Sequence, residues 1–125
     1  MYHGWSDPDI SPLNAINYYE SVVSRLGGRR SHGEALGETQ EFFRLFMVPG
    51  MQHCQGGPGP SNFDMLTALE QWVERGVAPN RVIASHLING VVDRTRPLCA
   101  YPLEARYTGA GSADAAENFV CRIPQ

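Results

Sequence analysis

Glu41-Phe42-Phe43-Arg44-Leu45-Phe46-Met47-Val48 is an almost unbroken apolar run that Pro49-Gly50 stops abruptly. Its shortness and aromatic content predict a strand buried on both faces, as in a parallel sheet, because a strand with one wet face alternates instead. Such a strand needs helices as cover. Upstream, Ser11 suits an N-cap and Pro12 the first helical position; Leu13, Ile16, Tyr19, Val23 and Leu26 then recur at helical spacing until Gly27-Gly28. That pattern predicts a helix over 12–26. Residues 27–40 are polar and glycine-rich and read as a surface loop. Downstream, Ser61 to Asp64 has the form of a capping box. It opens a helix whose stripe of Phe63, Leu66, Leu69, Trp72 and Val73 reads as core, with Gly76 as the stop.

Tyr2-His3-Gly4 reads as the end of a first strand and Val82–His86 as a third. From Asn89 onward the chain looks loop-rich, with a short strand at Arg106-Tyr107-Thr108. A last helix over 113–118 leads into Phe119-Val120-Cys121. The order strand, helix, strand, helix, strand implies an α/β architecture with right-handed crossovers on a mainly parallel sheet. Two or three strands cannot make such a sheet alone, and Met1–Gly4 reads as a strand without a start signal. The chain is therefore expected to be a single fragment, 1–125, of a larger domain whose other strands lie upstream.

Composition narrows the function. The chain has 125 residues, enough for one core, with 42% hydrophobic and 18% charged residues, and is globular by these measures. Its net charge is −3, and its ten positive residues, all arginine, are scattered, which excludes the basic stripe of a nucleic-acid binder. No stretch is long and apolar enough to span a membrane, and the first residues are no signal peptide. Three cysteines, Cys54, Cys99 and Cys121, leave at least one without an internal partner, and no C-x-x-C pair supports a metal site. The Gly56–Pro60 run lacks the Lys-Ser/Thr of a phosphate loop, and no cofactor is expected.

Two loops carry the candidate chemistry, each just beyond a strand. His3-Gly4-Trp5-Ser6-Asp7 brings an acid and Gly50-Met51-Gln52-His53-Cys54 a histidine. In open α/β sheets functional groups gather outside the carboxyl ends of the strands. Neighbouring parallel strands would thus join Asp7 to His53 across 46 residues. An aspartate bonded to one imidazole nitrogen fixes the tautomer and leaves the other nitrogen to take a serine's proton. The order acid then histidine is that of α/β-hydrolases. None of the serines, at 6, 11, 21, 24, 31, 61, 85 and 112, sits in a G-x-S-x-G elbow. The chain holds two thirds of a triad.

The segments H-G-W-x-D-P-x-I-S-P, V-P-G-M-x-H-C-x-G-G-P-G-P and R-T-R-P-L-C-x-Y-P resemble the C-terminal region of the tannase/feruloyl esterase family. The resemblance runs over nearly the whole chain, least clearly at 27–40. It implies the C-terminal portion of an α/β-hydrolase fold, with Asp7 as catalytic acid and His53 as catalytic base. It further implies that Cys54 forms a disulfide with a cysteine beside the nucleophilic serine, neither of which this chain contains, and that Cys99 pairs with Cys121. By the same resemblance the nucleophile and the family's calcium-bearing lid would lie upstream. The parent is then a secreted or periplasmic serine hydrolase of aromatic acid esters of feruloyl or galloyl type, and the isolated chain is expected to be inactive.

Plainer roles stand beside these. Asp7 suits a turn former in D-P-D, and Asp9 is a rival acid in the same loop. His53 could be an ordinary loop histidine and Cys54 a free thiol open to dimerisation. His3, His32 and His86 show no convincing partners, His3 supporting a strand end. Trp5 reads as core or pocket wall. A function of another class also remains: a non-catalytic assembly or binding module, or one half of a split esterase, associating through an exposed sheet edge or through Cys54.

Overall fold

Caps and turns divide the chain before packing does. The computed structural model describes residues 1–124. In order it contains β1 (Tyr2–Gly4), α1 (Pro12–Gly27), α2 (His32–Gln40), β2 (Phe46–Val48), α3 (Met65–Arg75), β3 (Arg81–Ile88), β4 (Val91–Cys99) and β5 (Glu104–Tyr107). A 3-10 turn, Ala116–Asn118, and β6 (Phe119–Arg122) follow. Among the described residues no helix is long and apolar enough to cross a membrane.

The strands form three two-stranded sheets. β1 and β2 are parallel, with Tyr2 opposite Phe46 and Gly4 opposite Val48. β3–β4 and β5–β6 are antiparallel. The expected mainly parallel sheet is thus corrected among the described residues: only the pair that carries the two candidate loops is parallel. β3 does not join that pair: the chain just past β4 takes the place beside β2, through an antiparallel bridge of Phe46 with Ala100, and β3 pairs with β4 across a turn at Asn89-Gly90. Both residues have positive φ, 50° and 79°, the backbone of a two-residue hairpin turn, and asparagine-glycine tolerates it. The chain therefore folds straight back from β3 into β4, a strand where loop was expected.

The 27–40 segment is also not a loop. Ser31 caps α2: its hydroxyl accepts from Glu34 N–H, and the Glu34 carboxylate accepts from Ser31 N–H at 2.9 Å. This reciprocal cap satisfies two orphan donors and offsets the low helix propensity of Gly33 and Gly37. Because α2 runs to Gln40 and a turn occupies Glu41 and Phe42, β2 is only Phe46–Val48, shorter than the apolar run.

Two apolar clusters form. Ala15, Tyr19 and Val23 of α1 bury against Ala35 and Leu45. Tyr19 also meets the rings of Phe43 and Tyr101 and donates its hydroxyl to the Phe43 carbonyl at 3.2 Å. Burying a side chain such as Val23 contributes about 1.5–3 kcal/mol. The second cluster joins Phe46, Val48 and Met51 to Val82, Ala84, Leu98 and Ala100, with Phe63, Met65 and Ala68 packed on it. The stripe expected as core on α3 is therefore split. The helix, capped by Asp64 and not Ser61, buries no residue fully, and Leu66, Leu69 and Val73 are exposed, Val73 to 77%. Met65 and Ala68, one helical turn apart, face the cluster instead. At the far end, Cys99 of β4 is disulfide-bonded to Cys121 of β6, with 5.7 Å between their Cα atoms.

Candidate active site

β1 and β2 end side by side and their following loops turn toward each other. Past β1, Trp5 N–H donates to the Val48 carbonyl at 2.9 Å and Ser6 N–H to the Met51 carbonyl at 3.0 Å. These bonds seat the acid's loop on the histidine's loop. The approach is very close: a Cβ on Gly4 would lie 2.3 Å from the Met51 oxygen. The second loop folds on itself by Gly59 N–H donating to Gly50 O, and a Cβ on Gly59 would lie 2.0 Å from the Pro49 oxygen. That is the structural use of the glycine-proline run: backbone packs on backbone where no side chain fits.

The result is a carboxylate–imidazole pair, with Asp7 Oδ2 2.9 Å from His53 Nδ1. The Asp7 side chain is 3% exposed and that of His53 47%. The other oxygen, Oδ1, accepts from the backbone N–H groups of Asp9 and Ile10 at 2.9 and 3.0 Å. The turn-forming role and the histidine-facing role of Asp7 are thus both present, one per oxygen. Asp9 is exposed and contributes its backbone N–H here.

These bonds set the protonation states. The Ile10 N–H is the largest influence holding Asp7 down, to a pKa of about 2, with the His53 bond and the Asp9 N–H adding to it against desolvation. An ionised carboxylate only accepts, so Nδ1 of His53 carries the hydrogen. The Asp7 hydrogen bond, then its charge, raises the His53 pKa above the ordinary 6.5. Nε2 of His53 has no hydrogen-bond partner among the described residues, so in the neutral imidazole its lone pair is free to accept a proton. Asp7, Asp9 and His53 offer ligand atoms within 4.8 Å of one another. While Nδ1 donates to Asp7 it has no lone pair for a cation, so the arrangement suits proton transfer better than metal binding.

The pair lies in a depression of about 170 Å³ lined by Tyr2, His3, Gly4, Ile10, Met51 and Cys54 as well. A larger cleft, about 460 Å³, lies between Trp5, Met47, Arg96 and Phe119. Trp5 walls this larger space; the convergent ionisable groups are in the smaller one. Cys54 is exposed and unpaired, in a left-handed backbone conformation with φ 62°.

Three histidines judged partnerless have neighbours. His86 Nδ1 lies 2.6 Å from Asp93 Oδ1, His32 Nε2 is 3.7 Å from Glu20, and His3 Nε2 approaches both Ile10 O and Asp7 Oδ2. The His3–Asp7 spacing of four, bridging a strand end and its loop, was the available signal.

Proteins named as esterases or hydrolases match the chain over nearly its whole length. The chain is 49% identical over 97% of its length to an uncharacterized esterase of Xanthomonas campestris, and spans 25% of that protein. It is 46% identical over 99% of its length to a mono(2-hydroxyethyl) terephthalate hydrolase of Piscinibacter sakaiensis, and spans 19% of it. The crystal structure of feruloyl esterase B from Aspergillus oryzae superposes on 97% of the chain with a TM-score of 0.85 and 32% identity; the match takes up 26% of that enzyme. The sequence profile described as tannase and feruloyl esterase matches residues 1–122. The chain therefore belongs to the tannase and feruloyl esterase family.

Proposed function

We propose that this chain is the acid–base part, the C-terminal portion, of an α/β-hydrolase catalytic domain that cleaves carboxylic esters of aromatic acids, of feruloyl or galloyl type. The observation that carries the reading is the 2.9 Å contact between Asp7 Oδ2 and His53 Nδ1, on a chain similar to esterases.

In this reading a serine hydroxyl from outside these residues lies against Nε2 of His53. Nε2 takes the hydroxyl proton as the oxygen attacks the ester carbonyl. Asp7 steadies the imidazolium so formed, which returns its proton to the leaving alcohol oxygen as the C–O bond breaks. Water, deprotonated by the same nitrogen, then releases the acid and frees the serine. Cys54 would be disulfide-linked to a cysteine next to that serine, and the parent would be secreted or periplasmic. The chain by itself would not turn over ester, having base and acid but no nucleophile in contact with them.

The test is a chimera in which this chain replaces the matching segment of the Piscinibacter sakaiensis hydrolase. Esterase activity abolished by His53→Ala is expected; activity that survives His53→Ala would sink the reading. The purified chain alone should not hydrolyse methyl ferulate or a p-nitrophenyl ester.

A second reading draws on the exposed Leu66, Leu69 and Val73 of α3 and the outer edge of β1, to which no strand is paired among the described residues. The chain would then act as an assembly module or one half of a split esterase. A monodisperse monomer on size-exclusion, unchanged by reductant, would speak against it.

A further inference from the structure

His3 lies in the middle of β1, opposite Met47, with its side chain 16% exposed. Its Nε2 is 3.1 Å from the Ile10 carbonyl oxygen and 3.3 Å from Asp7 Oδ2. Both partners only accept, so Nε2 must carry a hydrogen. The same residue's N–H, from the preceding peptide group, donates to Asp7 Oδ1. His3, the Ile10 backbone and the Asp7 carboxylate thus close a ring of polar contacts, and two imidazoles flank the same oxygen, Oδ2.

We propose that His3 is a positioning residue for the Asp7–His53 pair: from a strand held in register it ties down the 7–10 turn and keeps Oδ2 aimed at His53. The inference rests on the acid–base reading of that pair. Its physical ground is that a carboxylate in a loop has two soft torsions. The Asp9 and Ile10 N–H groups hold only Oδ1, and a coupled change of the two torsions that pivots on that oxygen would carry Oδ2 away from His53. A donor anchored on β1, bonded to the turn's carbonyl and standing 3.3 Å from Oδ2, opposes that movement. A ring of the same shape without the N–H cannot, whereas a glutamine amide presents an N–H at comparable reach.

The experiment is ring-nitrogen NMR of the 125-residue chain, following the titration of His53 and its Nδ1 proton in the wild type, His3→Phe and His3→Gln. The expected wild type shows a far-downfield Nδ1 proton and a His53 midpoint above that of an ordinary histidine. His3→Phe should lose or broaden the proton and drop the midpoint toward the ordinary value; His3→Gln should restore both. An ordinary midpoint with no downfield proton in the wild type sinks the acid–base pair itself. A normal wild type with an unchanged His3→Phe overturns the positioning role alone, and equal losses in His3→Phe and His3→Gln overturn the donor as its cause. The wild-type spectrum also decides the matter should His3→Phe fail to fold: a His3 ring protonated only on Nδ1 overturns the inference.

Discussion

Gly4 and Met51 touch through their backbones: a side-chain carbon at position 4 would stand 2.3 Å from the Met51 oxygen and 2.5 Å from that of Gln52. No rotamer relieves the clash, since every obstructing atom is main chain. Gly4→Ala should therefore push the β1 loop off the β2 loop, lowering the melting temperature and disrupting the Asp7–His53 contact together. Loss of the downfield Nδ1 proton in a variant that remains folded is the expected signature; retention of that proton with an unchanged melting curve would contradict the packing described.

Asp7→Asn keeps the shape and the turn-forming acceptor but removes the charge opposite His53. The midpoint of His53 should fall, because its largest causes of elevation, the bond and charge of Asp7, are gone. In the active chimera kcat should fall on the order of 10⁴-fold, as for other triads whose histidine loses its tautomer partner. Equal ester turnover by the two proteins would show that Asp7 has no part in the chemistry.

The pair should stabilise the fold in a defined pH window. Asp7 is depressed to about 2 from 3.8, so its contribution is full above its unfolded value and lost as pH falls toward 2. His53 is raised above 6.5, so its contribution is full below 6.5 and lost as pH climbs through the higher folded value. The difference in unfolding free energy between wild type and His53→Ala should be largest between roughly pH 4 and 6.5. As a base His53 must be neutral, so chimera activity should rise with pH through a midpoint above 6.5. Urea titrations and a kcat/KM profile against pH read the two effects, and a midpoint below 6.5 would contradict the second.

Cys99 and Cys121 close a loop with a sequence separation of 22, linking β4 to β6. Removing that link in the Cys99→Ala/Cys121→Ala double variant should cost about 3 kcal/mol by the chain-entropy argument. Denaturant unfolding of the variant and the oxidised wild type measures it, and indistinguishable midpoints would show the bridge to be energetically idle.

The amino-acid order was a good guide to some of the local structure. Ser11-Pro12 and the paired glycines at 27–28 bracket a helix observed as Pro12–Gly27; Ser11 makes no side-chain cap bond, and the local signals that act are the fixed φ of Pro12 at the start and the positive φ of Gly28, 56°, at the end. Two equally local signals were available and missed. Ser31–Glu34 was a capping box hidden by the glycines around it, and Asn89-Gly90 was a hairpin turn taken for the start of a loop. The α3 stripe was misassigned for a different reason: periodicity shows that a helix has apolar residues, but the neighbours present decide which ones are covered, and here Met65 and Ala68 are, not Leu66 and Val73.

The chain's own residues placed an acid and a histidine in loops beyond strands, through the proline-glycine stop after Val48 and the D-P-D turn after Gly4. The neighbouring-strand argument anticipated that these loops meet; tertiary structure alone decided that Asp7 turns one oxygen to its own loop and the other to His53, and that His3 stands beside the second oxygen. Turn chemistry is settled within a few residues. A 2.9 Å contact across 46 positions depends on strand register and on a backbone approach that exists only once both strands are in place.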